Sequence, residues 1–448
     1  MSLIRPAAAL AALAALSACA TAQRLNPFAG DDAPAATAPE DGRVSILTFE
    51  QTLAPDPDLQ SRAIVIPAPL PAGDWPQPGG AADNAPNNVQ GEAALAVDFR
   101  RSVGAGSSRR ERLSAPPVVA DGRIFVVDAE HVVRALELDS GREQWSIRLR
   151  PEDGRDRRAL GGGVTFAEGK LFVTTGFGFI AALDANTGGE LWRTRTNAPF
   201  HAAPTFGGGR VFAVTNDSEL IAFDAATGAV QWTHQAIAEP ARILAASSPA
   251  VSGDTVIAPF ASGEVIALLA SNGRRLWVDA LSRSGRLTSL SAINDIAGRP
   301  VVNNGVVYAA SHSGLLAAID LRTGQRVWSR PFASTQTPWI AGDVLYAVSA
   351  DGELAAFDRE TGNVYWVRQL RRFEDEADRE GRIAWTGPIM VGGRLVLASS
   401  LGDVVAVSPA NGEVVGEGDA RNPVFIPPIA AHGRIFLVTD DAQLVAMR

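Results

Sequence analysis

The chain has 448 residues with a formal net charge of −9, 46% hydrophobic residues, 43 Gly and 28 Pro. That balance fits a turn-rich globular protein rather than a disordered one, and its acidity argues against a nucleic-acid partner. The single cysteine excludes an intrachain disulfide and a Cys-rich metal site.

Residues 1–19, MSLIRPAAALAALAALSAC, pair a basic residue, Arg5, with an apolar run too short to span a bilayer. This pattern is a secretory signal peptide rather than part of the fold. Leu16-Ser17-Ala18-Cys19 resembles the lipobox of bacterial lipoproteins. The resemblance implies lipid attachment at Cys19, cleavage before it and acylation of the new terminus, which together anchor stably. Ala20, in place of an acidic residue, implies sorting to the outer membrane. The plain alternative is a signal peptide with an incidental cysteine.

Residues 20–93 are rich in Ala, Pro, Asp and Gly, and residues 20–92 carry ten carboxylates against three arginines. Such a stretch has little apolar surface to offset the entropy of ordering, so it reads as a mostly disordered tether. Arg62–Pro67 is a candidate short strand within it, and Trp75 a candidate anchor on the domain surface.

Residues 94–448 repeat. ALELDSGREQW ends at Trp145, ALDANTGGELW at Trp192, AFDAATGAVQW at Trp232, ALLASNGRRLW at Trp277, AIDLRTGQRVW at Trp328 and AFDRETGNVYW at Trp366. A seventh copy, AVSPANGEVVG, places Gly416 where Trp would stand, and successive copies lie 38 to 51 residues apart. A period of that size denotes a solenoid or propeller. Before each Asp-x-x-Thr-Gly come strand-like runs, such as KLFVTTG and GFIAALD, separated by tight turns. Each unit is thus a four-stranded antiparallel propeller blade, and the fold is all-β. Residues 425–448 supply only three strands, and Ala94–Val103 is a lone strand with Phe99 at the Trp position. Pairing the two ends gives eight blades and removes exposed edges; seven with frayed ends is the alternative. The tryptophans read as core: each fits between blades with its N–H on a backbone carbonyl. Burying ~150–250 Å² apiece corresponds to an upper bound of about 4–6 kcal/mol.

The unit A-[LIF]-D-x-x-T-G-x-x-x-W resembles the tryptophan-docking repeat of quinoprotein propellers and lacks the dipeptides of WD repeats. With the lipobox and one eight-bladed domain, the chain resembles the BamB family of outer-membrane assembly lipoproteins. The resemblance implies a non-catalytic scaffold, monomeric within a complex, with no cofactor. It would dock on the POTRA domains of a BamA-like barrel-assembly protein and aid insertion of outer-membrane proteins, unfolded forms of which are further candidate partners. Two neighbouring loops carry that docking in the family. Their counterparts here are Arg242, Ile243 and Leu244 ahead of Pro249, and Asn294 and Asp295 ahead of Pro300. The arginine precedes the apolar pair where the family pattern has it after, and the second loop has a short insertion. The plain reading is that both are ordinary blade connections.

Longer insertions at residues 281–299 and 368–382 mark further candidate surfaces, the second a densely charged, solvated run. The rival class is a quinone-dependent dehydrogenase on the same fold. Such enzymes resemble this chain in their blades but add adjacent cysteines and a Ca²⁺ site, neither of which is legible here. The five histidines lack metal-ligand spacing, and no G-x-S-x-G occurs. A third class, a periplasmic ligand-binding propeller, would need a polar funnel in the central channel.

Overall fold

The computed structural model describes residues 53–59, 61–71, 73–151, 158–237, 247–281 and 295–448. Eight four-stranded antiparallel sheets form the blades. Blades 1 to 7 span residues 118–148, 162–195, 205–235, 250–280, 301–331, 339–369 and 385–419. Blade 8 takes its three inner strands from residues 429–447, and Val97–Ser102 pairs with Gln443–Met447 as its outer strand. The first and last strands of the blades therefore share one sheet, and the edge that either would expose alone is paired.

Blade 2 shows how the repeat becomes structure. Lys170–Thr175 and Phe179–Asp184 are almost wholly buried, because a neighbouring blade covers each face. That two-sided burial explains runs such as FIAAL, without polar alternation. Glu190–Arg195, the outer strand, has no buried residue and is exposed at half of its positions. Asp184 closes the preceding turn: its Oδ1 accepts from the Thr187 N–H at 2.9 Å, the Thr187 hydroxyl at 2.9 Å and the Asn186 N–H at 3.0 Å. Beyond the turn the register slips between Ala182 and Leu183, leaving Ala182 opposite Trp192. The same slip recurs in blades 1 to 7. A bulge adds local twist and re-aims the side chains after it.

The tryptophans stitch consecutive blades. The Nε1 of Trp145, Trp192, Trp232, Trp277, Trp328 and Trp366 donates to the carbonyl of Ala185, Ala225, Ala270, Leu321, Arg359 and Pro409, at 2.8–3.2 Å. Each acceptor belongs to the next blade's Asp-x-x-Thr-Gly turn or its equivalent. The turn glycine lies against the indole: a Cβ on Gly188 would stand 2.7 Å from Trp145. Gly141 meets Phe99 of blade 8 in the same way, so the ring closes with Phe in place of Trp.

Residues 73–91 differ from the tether that composition suggests. They run around the inside of the ring and meet the inner part of each blade in sequence order. Trp75 exchanges two backbone hydrogen bonds with Val119 of blade 1, and Pro76 accepts from Phe166 of blade 2. Gln77 bonds Phe206 of blade 3, and Ala82 and Asp83 accept from Val251 and Val302 of blades 4 and 5. Asn87 accepts from the Trp339 indole of blade 6, Val89 bonds Met390 and Gly392 of blade 7, and Gly91 bridges Gly433 of blade 8. Trp75 is 3% exposed, a core residue rather than a surface anchor. The entropy of ordering this polar stretch is offset by hydrogen bonds to inner strands that would otherwise present unpaired groups to the channel. Arg62–Pro67 forms no strand; Arg62 instead pairs with Asp358 at 3.1 Å.

The charged insertion before blade 7 folds as a small hairpin, Phe373–Asp375 with Glu380–Arg382. Arg372 and Arg382 reach Asp351, and the Trp385 indole holds the carbonyl of Arg371 at 2.8 Å.

Candidate docking face and central funnel

Arg242, Ile243, Leu244 and Asn294 lie outside the described residues, as does Cys19. The feet of both candidate loops are described. One foot is Ser247–Pro249, leading into blade 4, and the other is Asp295–Pro300, leading into blade 5. Ser247 Oγ donates to the Gly298 carbonyl at 2.9 Å, so the two connections enter the ring side by side. Asp295 is 6% exposed, and its carbonyl accepts from the His312 N–H at 3.0 Å. Little of it faces outward, which separates it from the exposed acid that a docking contact requires.

Beyond Asp295 the chain turns into the channel. Gly298 lies so close to the Gln336 carbonyl that no Cβ fits between them, and the Arg299 N–H donates to Thr337 Oγ1 at 3.0 Å. These contacts fix the backbone on either side of Arg299. Arg299 lines a funnel of about 250 Å³. The walls come from widely separated parts of the chain, including Leu113, Leu160, Thr337 and Phe425. On its other side Arg299 borders a small void beneath Trp75 and Trp339. Trp75, Gly79 and Asn84 of the channel segment line that void, while Ala297 and Arg299, from the foot of the second candidate loop, line the funnel itself.

Arg299 is 9% exposed, and its Nε is buried without a hydrogen-bond partner. Burial alone lowers its guanidinium to about 10, with no carboxylate opposing the shift, so it stays charged at neutral pH. Sequence reasoning missed this residue: its surroundings are assembled from several blades, and no local motif marks it.

The histidines remain apart. His131 is buried beside blade 2, with Nε2 2.9 Å from the Gly161 carbonyl, and burial lowers its pKa. His432, in the neighbouring blade 8, meets Asp74 at 2.8 Å. Among the described residues no three His, Cys, Asp or Glu are grouped to hold a metal ion.

Comparison with known proteins places this architecture. The family model of the outer membrane protein assembly factor BamB matches residues 99–157, 153–368 and 374–448. The BamB of Salmonella typhimurium is 30% identical over 335 residues, covering 74% of this chain and 83% of that protein. The crystal structure of BamB from Moraxella catarrhalis superposes with a TM-score of 0.65 at 21% identity, covering 78% of this chain and all of that one. The quinohemoprotein alcohol dehydrogenase from Comamonas testosteroni also scores 0.65, at 14% identity, a likeness of fold alone. Repeat, closure and matched sequence agree, and the chain belongs to the family of the outer membrane protein assembly factor BamB.

Proposed function

We propose that this chain is a non-catalytic scaffold lipoprotein of the outer-membrane β-barrel assembly machinery. In this reading it is acylated at Cys19, faces the periplasm from the outer membrane, and docks on the POTRA region of a BamA-like subunit to aid barrel insertion. The relatives' name, outer membrane protein assembly factor, supports the role. The observation that carries the docking site is the Ser247–Gly298 hydrogen bond. It joins the feet of two successive blade connections, so residues on both loops can present one composite surface. Arg242, Ile243 and Leu244 supply a charged and apolar contact from the first loop, with Arg favoured at interface hot spots. Asn294 supplies the polar contact from the second, and Asp295 positions it from a buried site.

The test is a pull-down of the BamA-like subunit from detergent-solubilised outer membranes. Arg242→Glu combined with Ile243→Asp should abolish recovery while the melting temperature stays that of the parent. Undiminished recovery would reject the docking site. Asp295→Lys is unsuitable, since a longer side chain of opposite charge forced into a 6% exposed position disturbs the fold itself. Cys19→Ala should move the protein from the membrane to the soluble periplasmic fraction. Recovery of a stoichiometric redox chromophore instead of a protein partner would favour the dehydrogenase class.

A further inference from the structure

We propose that the central funnel is a binding site for a peptide carboxylate flanked by an apolar group, with Arg299 as its counter-charge. The site shares Ala297 and Arg299 with the foot of the second docking loop, but its ligand and its test do not depend on that docking.

Four observations converge. Arg299 is charged where it lines the funnel, its Nε is buried without a hydrogen-bond partner, and burial alone shifts its guanidinium, with no carboxylate opposing. A buried, unpaired guanidinium is costly, and an exogenous anion would supply the missing partner. No Asp or Glu borders the funnel among the described residues, so none of them competes with an incoming anion. The volume, about 250 Å³, suits a group the size of one amino-acid residue.

The walls select among anions. Leu113, Leu160, Phe425 and Ile426 make an apolar collar, and Phe425 is 50% exposed at the mouth. A carboxylate pairs with the guanidinium fork in bidentate geometry, while its aliphatic neighbour fills the collar. One buried positive charge matches a monoanion. A phosphate could pair with the guanidinium, and with the exposed Arg112 that also lines the funnel, but would leave the apolar collar unfilled. The contacts at Gly298 and Thr337 fix the backbone that carries the Arg299 side chain before a ligand arrives, which limits part of the ordering cost of binding.

The test uses the full-length acylated protein in detergent with N-acetyl-leucine, N-acetyl-leucinamide and inorganic phosphate, titrated by calorimetry. The acid should bind with a Kd of about 1 mM or tighter. It should bind at least tenfold more tightly than the amide, which lacks the charge, and than phosphate, which lacks the apolar group. Arg299→Met should lose the acid while melting no lower than the parent, because it replaces an unpaired buried charge with an apolar chain of similar length. The comparison of acid with amide on the unaltered protein stands even if that variant fails to fold. Equal affinity for acid and amide, tighter binding of phosphate, or no binding of the acid would overturn the assignment. So would retention of binding by a folded Arg299→Met. A folded Arg299→Met that melts lower would make Arg299 a structural residue instead.

Discussion

Trp75, from the segment that precedes the repeats, stacks on Trp339 of blade 6 with ring centroids 6.3 Å apart and planes within 9°. The pair ties the channel segment to the ring, and the Trp339 indole also holds the Asn87 carbonyl at 3.0 Å. Trp75→Ala should cost about 3–5 kcal/mol, the usual range for deleting a buried Trp. A double-mutant cycle with Trp339→Ala should show a coupling of about 0.5–1.5 kcal/mol beyond the packing of each ring. Urea unfolding measures both. A loss below about 1 kcal/mol for Trp75→Ala would mean that the segment adheres without supporting the fold.

The blade turns permit a sharper comparison, because backbone strain and steric contact separate. Gly228 and Gly253 both have positive φ, 74° and 58°, so alanine is strained at either position. Around Gly253 nothing lies within 4 Å, whereas a Cβ on Gly228 would enter the Trp192 ring. Gly253→Ala should therefore cost about 1 kcal/mol. Gly228→Ala should cost about 1–3 kcal/mol more, the usual range for overpacking. Equal losses would mean that the indole yields freely.

Acid should loosen the blades at these same turns. Hydrogen bonds from the following threonine hold the carboxyls of Asp184, Asp224 and Asp320 below the ordinary Asp value of 3.8. A carboxylate with a depressed folded-state pKa stabilises above its unfolded value, and the contribution disappears as pH falls through the folded value. Urea midpoints should thus drop as pH passes below 3.8. The triple variant Asp184→Asn, Asp224→Asn, Asp320→Asn should start less stable and lose less of its midpoint over that interval. A variant with the parent's full pH dependence would assign acid sensitivity to other groups.

The architecture was legible in the sequence because its determinants are local and repeated. Asp184, Thr187, Gly188 and Trp192 lie within nine residues, and the turn, bulge and docking follow from that one unit. Closure was legible because three C-terminal strands lacked a fourth and one N-terminal strand lacked a blade. The channel segment was not, because Pro76, Ala82 and Asp83 bond through backbone atoms, which composition does not encode. Arg299 looks in sequence like any loop arginine, since the groups around it run from Leu113 to Phe425 and meet only in the folded ring. The family resemblance marks Asp295 as a docking acid, but burial is not legible in that match: Asp295 itself and Ala297, two residues farther along, are each 6% exposed.

The closing seam offers a test of burial against distance. Asp98, on the N-terminal strand, lies 3.2 Å from Arg434 and 3.2 Å from Arg448, so length alone cannot rank the two ion pairs. Their surroundings do. The Arg434 side chain is 13% exposed and also donates to the Leu138 carbonyl at 2.9 Å and to Asp139 at 3.0 Å, both in blade 1. The Arg448 side chain is 51% exposed. Exposed pairs contribute about 0–1 kcal/mol and fade with salt, whereas hydrogen bonds from a buried charge contribute about 1.5–3 kcal/mol. Arg434→Ala should thus cost about 2–3 kcal/mol, because it removes the bonds joining blade 8 to blade 1 and to its own outer strand. Arg448→Ala should cost under about 1 kcal/mol, and salt should erase most of that difference. Similar losses for both variants would show that the ring is held shut by strand pairing and the Phe99–Gly141 contact, with the charges along the seam contributing little.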